Sequence, residues 1–135
     1  MERRCKAQMR RIVLDIQSGM FAEAMERSLE GSIPDFMIYR SPKPEDTAAL
    51  CRSCQANVLV MEVRGRNGFG LCKRQQIRNE VKKNNSNCKI LLLVDENEDV
   101  LLAADVRQAV KDRLADNFIY ASVSPSYLAA VIDTL

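Results

Sequence analysis

Few residues in this chain have the types needed for chemistry, and histidine is absent. Its absence removes the commonest general base, the usual partner of a nucleophilic Ser or Cys, and the usual zinc ligand other than Cys. The cysteines are Cys5, Cys51, Cys54, Cys72 and Cys88. Cys51-x-x-Cys54 has the spacing of half a zinc site or of a redox pair. A zinc site needs four ligands, and the sequence has no second such pair. A redox pair opens a helix after a strand, whereas this one falls late on the apolar face of a helix and reads as core packing. The odd, scattered set reads as reduced thiols rather than a disulfide frame. Gly65-Arg66-Asn67-Gly68-Phe69-Gly70 is glycine-rich and basic, but it lacks the Gly-Lys-Ser/Thr ending of a phosphate loop and the G-x-G-x-x-G spacing. It reads as a turn. Lys73, Arg74, Arg78, Lys82 and Lys83, with Glu80 among them, read as the solvated face of a basic helix, able to touch an acidic partner or nucleic acid. Glu96, Glu98 and Asp99 stand at a helix start, where the macrodipole favours them. They lack the alternating oxygen ligands of a calcium loop. No metal and no cofactor is expected.

The elements that must position these residues alternate along the chain. Arg11–Ile16 reads as a strand. Phe21, Ala24, Met25, Ser28 and Leu29 form a helical stripe that Gly31 stops. Asp35–Tyr39 is a second strand, and Ser41-Pro42-Lys43-Pro44 is a loop. Thr47, Leu50, Cys51 and Cys54 share one face of a helix. Val58–Val63 is the third strand. Leu71–Lys83 is a helix with Ile77 and Val81 inward. Lys89–Val94 is the fourth strand. Leu102, Val106, Ala109, Val110 and Leu114 stripe the fourth helix. Phe118–Ala121 is the fifth strand, and Ser124-Pro125 caps a last helix with Leu128, Val131, Ile132 and Leu135 on one side. Continuous apolar runs suit parallel strands buried on both faces. Five strand-then-helix repeats predict an α/β fold: a doubly wound, five-stranded parallel sheet with five helices in three layers, flavodoxin-like. In such a fold a site lies beyond the strand carboxyl ends, at a topological switch point. That marks Ile16–Ser18, Glu62–Arg64, Val94–Asp95 and Ala121–Ser122.

The composition fits one such domain. The chain has 135 residues, 47% hydrophobic and 28% charged, enough to bury a core and unlike a disordered chain. Twenty basic against 18 acidic side chains leave a net charge of +2, which marks no nucleic-acid or membrane tail. The longest clean apolar run, Ile90–Val94, is far too short to span a bilayer. Met1–Arg11 is basic and lacks an apolar h-region, so no secretory signal is read and a cytoplasmic protein is expected. The expected organisation is a basic extension over residues 1–10 followed by one domain over 11–135.

The strand ends carry a resemblance. Ala56-Asn57-Val58-Leu59-Val60-Met61-Glu62-Val63-Arg64, followed by Gly70-Leu71, resembles the third strand of a two-component receiver domain. Lys89–Val94 is similar to that family's fourth strand. Asn117-Phe118-Ile119-Tyr120-Ala121-Ser122-Val123-Ser124-Pro125 is similar to its fifth-strand block. Ile12-Val13-Leu14 through Phe21-Ala22-Glu23-Ala24 is similar to its first strand and helix. The Met-Glu-Val-Arg string and the Ser-Pro resemble the NarL/LuxR-type branch, in which a receiver precedes a helix-turn-helix DNA-binding domain. The region 97–116 is longer than the family's fourth helix and lacks its usual Gly turn.

The resemblance implies a phosphoacceptor Asp at the third strand's end, two acids after the first strand holding Mg²⁺, a Thr/Ser on the fourth strand and a Lys on the fifth. A divalent cation and an ammonium are needed because the attacking carboxylate approaches a phosphorus ringed by negative oxygens. At those positions this sequence has Glu62 for the phosphoacceptor, Ile16 and Gln17 for the acidic pair, Val94 for the hydroxyl and Ala121 for the lysine. A one-residue slip brings Asp15 to the first acidic position. Glu62 reads either as a mimic of a phosphorylated Asp or as a relic, paired with Arg64 or Arg66 or exposed at the sheet edge. The expected function is a non-catalytic, phosphorylation-independent receiver-like module, the N-terminal part of a transcription regulator. It would act through a protein partner or a weak homodimer on its fourth helix, fifth strand and fifth helix, without touching nucleic acid or membrane. The alternative is a small-ligand or enzymatic α/β domain that uses the emptied strand-end pocket.

Overall fold

A computed structural model describes residues 9–32, 35–65, 69–97, 99–122 and 124–135. The strands are β1 (Arg10–Asp15), β2 (Phe36–Arg40), β3 (Val58–Val63), β4 (Lys89–Val94) and β5 (Asn117–Tyr120). The helices are α1 (Gly19–Ser32), α2 (Thr47–Cys54), α3 (Leu71–Asn84), α4 (Val100–Lys111) and α5 (Pro125–Thr134). The strands form one sheet in the order β2-β1-β3-β4-β5, and every pairing is parallel. This is the doubly wound architecture the alternation predicts.

Side chains alternate across each strand, and the sheet has a core on each face. Ile12, Leu14, Val60, Leu91 and Leu93 meet Ala22, Met25 and Leu29 of α1 and Leu128 and Ile132 of α5. Val13, Leu59, Met61, Ile90 and Leu92 meet Cys51 of α2, Val81 of α3 and Ala103 and Val106 of α4. All six residues of β3 are buried, as are five of the six in β4. Those continuous apolar runs become the centre of the sheet for that reason.

Several expectations shift. β1 ends at Asp15, leaving Ile16 just past the strand but still buried. β2 and β5 each move by one residue. α1 runs through Gly31 to Ser32, and Ser18 opens it by accepting the Phe21 N–H at 3.2 Å. The buried stripe of α1 is Ala22, Met25 and Leu29, while Ala24 faces solvent. α4 stops at Lys111, so Leu114 lies beyond the helix, half-buried. Arg113 supplies the stop that a Gly usually makes, at φ 64°. The largest departure is Arg74, which is fully buried rather than solvated. Residues 1–8 of the basic extension, with Cys5, lie outside the described residues, as do Arg66, Asn67, Gly68 and Glu98. No described helix is long and apolar enough to cross a membrane.

Candidate functional site

The strand order reverses between β1 and β3, and their carboxyl ends place Asp15 and Glu62 near one another at the switch point. Asp15 pairs in register with Met61, so its side chain faces α2 and α3. There Arg74, one turn into α3, reaches back beneath the strand ends. Its Nη1 donates to Asp15 Oδ2 at 2.6 Å, and its Nη2 donates to Asp15 Oδ1 at 3.2 Å and to the Asp15 carbonyl at 3.1 Å. Its Nε donates to the Glu62 carbonyl at 2.8 Å. The guanidinium fork thus joins the ends of β1 and β3, and its planar geometry suits this two-pronged pairing. The Phe69 ring covers the guanidinium at 4.5 Å from centroid to Cζ. Exposure of the two side chains is 0% and 1%.

A buried charge needs its remaining lone pairs satisfied. Thr47, the first residue of α2, donates its hydroxyl to Asp15 Oδ2 at 2.5 Å. Ser41 Oγ lies 2.7 Å from the Thr47 hydroxyl and donates to the Lys43 carbonyl at 2.9 Å. Asp15 therefore gathers β1, β3, α2 and α3 around one carboxylate.

Glu62 takes a separate position, at the end of β3. It is buried, with 7% exposed, and its Oε1 accepts the backbone N–H of Gln17 at 2.8 Å. Its Oε2 accepts from Arg64 at 3.2 Å. β3 is central in the sheet, so Glu62 is not a sheet-edge group. Gln17 contributes its backbone to Glu62, and its side chain is exposed. Ile16 packs into the core on the α1 and α5 side. Val94 ends β4, buried against the other core. Ala121 follows β5, and its N–H donates to the Val94 carbonyl at 2.9 Å. The structure therefore brings Glu62, Gln17 and Asp15 together at the ends of β1 and β3, with Val94 and Ala121 adjacent across β4 and β5. Among the described residues, no group of three or more Cys, Asp or Glu side chains is placed to hold a metal ion. A divalent cation does not fit here: Asp15 is engaged by Arg74, Glu62 by Arg64, and Ile16 and Gln17 offer no anionic ligand.

The sequence reading missed Arg74. The signal was its spacing: Arg74 lies three residues after Leu71, three before Ile77 and seven before Val81, on the inward stripe of α3.

The described cysteines are free thiols. Burial pushes Cys88 up to about 11. It raises Cys51 further, aided by Cys88, Cys54 and Asp15 nearby, and raises Cys54 as well. Thiols held protonated at neutral pH are poor nucleophiles.

No family model matches the sequence. No curated protein matches it. Solved structures do match its fold. A LuxR-family DNA-binding response regulator from Staphylococcus aureus superposes with a TM-score of 0.73 at 16% identity, covering 93% of this chain and 97% of that one. The REC domain of AraT, a response regulator from Geobacillus stearothermophilus, gives 0.74 at 12% identity, covering 94% and 92%. The response regulator TrrA from Thermotoga maritima, solved in complex with Mg²⁺–BeF, gives 0.72 at 16% identity, covering 93% and 98%. The chain has the fold of response-regulator receiver domains.

Proposed function

We propose that residues 11–135 form a receiver-fold regulatory module that works through protein contacts without a phosphorylation cycle. Glu62 stands where the phosphoacceptor of such a domain would be. The observation that carries this reading is the Arg74–Asp15 pair, which engages the one carboxylate at the end of β1. Val94 and Ala121, aliphatic where a hydroxyl and an ammonium would steady a phosphoryl group, support it. Glu62 itself is held by Gln17 and Arg64, and a carboxylate so bound is a poor attacking group. Likeness to a DNA-binding response regulator supports a place in a transcription regulator. The signalling surface in this reading is the one formed by α4, β5 and α5.

Incubation with a small phosphodonor and Mg²⁺, followed by intact-mass measurement, tests the proposal. The mass is expected to stay unchanged, and millimolar Mg²⁺ is expected to leave the melting temperature where it was. A stoichiometric phosphoryl gain on Glu62 would refute the reading.

A further inference from the structure

At the end of the sheet opposite Glu62, the amino ends of β1, β3 and β4 border an open cavity of about 450 Å³. That is within the roughly 300–1,000 Å³ of small-molecule sites. Arg11, Arg52, Gln55, Asn57, Asn84 and Asn87 line it, and its described lining holds no carboxylate. Two guanidinium groups and a set of side-chain amides share this wall, and none of its described residues neutralises them, which leaves the local potential positive.

The frame of this cavity is fixed by hydrogen bonds. The Arg11 N–H donates to Asn57 Oδ1 at 2.8 Å, and the Asn57 N–H donates to the Arg11 carbonyl at 2.7 Å. Arg11 Nε donates to the Gln55 carbonyl at 3.0 Å, and Gln55 holds a left-handed φ of 56° that closes α2. Asn85 joins the two loops, donating to the Ala56 carbonyl at 3.3 Å and accepting the Asn87 N–H at 3.1 Å. These bonds leave the terminal nitrogens of Arg11, the whole Arg52 guanidinium and the side-chain amide of Asn87 without partners among the described residues. A pre-formed frame with free donors lowers the ordering cost of binding.

We propose that this cavity binds a small phosphate ester of mononucleotide size. Arg11 and Arg52 take the phosphate, because the guanidinium fork matches phosphate oxygens in pairs. The amides of Gln55 and Asn87 take the ring, because an Asn or Gln side chain presents a donor and an acceptor side by side, as a base edge does.

Titration of the full, nitrogen-15-labelled chain with AMP, GMP, CMP and UMP, beside inorganic phosphate at matched ionic strength, tests this. At least one nucleotide is expected to shift the amides of Arg11, Arg52, Gln55–Asn57 and Asn84–Asn87 and to bind at least about tenfold tighter than phosphate. Arg52 is exposed, so Arg52→Glu is expected to weaken that binding at least about tenfold with the melting temperature unchanged. Absence of shifts at millimolar nucleotide, phosphate binding as tight as the nucleotide, or unchanged binding by Arg52→Glu would each overturn the proposal. None of these results bears on the phosphorylation test, which reads the opposite end of the sheet.

Discussion

Arg74 is the residue on which the candidate site turns. An Arg side chain buried to 0% exposure is stable only with its charge matched and its donors used. Here the match is complete enough that removing one partner leaves the other charge stranded. Arg74→Met is therefore expected to destabilise the fold by about 3–5 kcal/mol, as is typical when a buried pair is broken. Combining it with Asp15→Leu is expected to cost less than the sum of the two single changes. Urea unfolding of the three variants measures this, and a wild-type midpoint for Arg74→Met would show that the pair is not structural. The sequence left this residue illegible for a physical reason. Arg is mostly exposed because desolvating it is costly, and the Asp that offsets the cost lies 59 positions away. Glu62, by contrast, could be found, because it falls at the carboxyl end of a buried parallel strand, where such a fold places its site; Asp15 entered only as a one-residue slip in the resemblance.

At the scale of elements, legibility tracked burial. The bounds of β3 and β4 could be read to the residue, because apolar character begins and ends sharply where both faces are covered. β2 and β5 lie at the sheet edges, where apolar and polar residues mix, and each was offset by one residue; β1 was offset by one as well, because it opens on two half-buried arginines, Arg10 and Arg11. The end of α4 was harder still, whereas the last residue read on the face of α2, Cys54, is the last of that helix. Both helices close through a left-handed residue that is not Gly: Gln55 at φ 56° and Arg113 at φ 64°. After each, the next N–H returns to a carbonyl five residues back, Ala56 to Cys51 at 3.0 Å and Leu114 to Ala109 at 2.9 Å. This is the Schellman closure, which Gly makes most easily. Side chains in that conformation are strained. Arg113→Gly is expected to raise stability by up to about 1 kcal/mol, net of the added freedom of the unfolded chain. Thermal unfolding checks it, and a loss of stability would mean that the Arg113 side chain contributes more than its backbone costs.

For the whole molecule, the outward face of α4 bears on how such a module would speak to a partner. Asp105, Arg107 and Lys111 are exposed there, and Arg107 donates to the Tyr120 hydroxyl at 3.0 Å. Val100 and Leu101, exposed at 69% and 79%, stand at the start of the same helix, and Tyr127 is exposed on α5. Mixed charge gives orientation more than affinity, and the apolar residues supply area. A weak dimer is expected, with a dissociation constant of about micromolar or weaker, which Arg107→Glu with Lys111→Glu disrupts. Sedimentation across concentrations decides it. If wild type stays monomeric throughout, or the double variant associates equally well, this face is not the contact.

The carboxylate of Asp15 also has a consequence for how the molecule opens. It binds side chains from α2 and α3, and the guanidinium it pairs with also binds β3. Neither helix can leave the sheet without exposing a charge in a space that water has not yet entered. Local fraying is thereby discouraged, and this quarter of the protein is expected to open as one cooperative unit. Amide hydrogen exchange should then report one shared opening energy for the carboxyl ends of β1 and β3 and the first turns of α2 and α3. In Arg74→Met those energies should separate. Independent exchange of these segments in the wild type would show that the carboxylate joins them in space but not in energy.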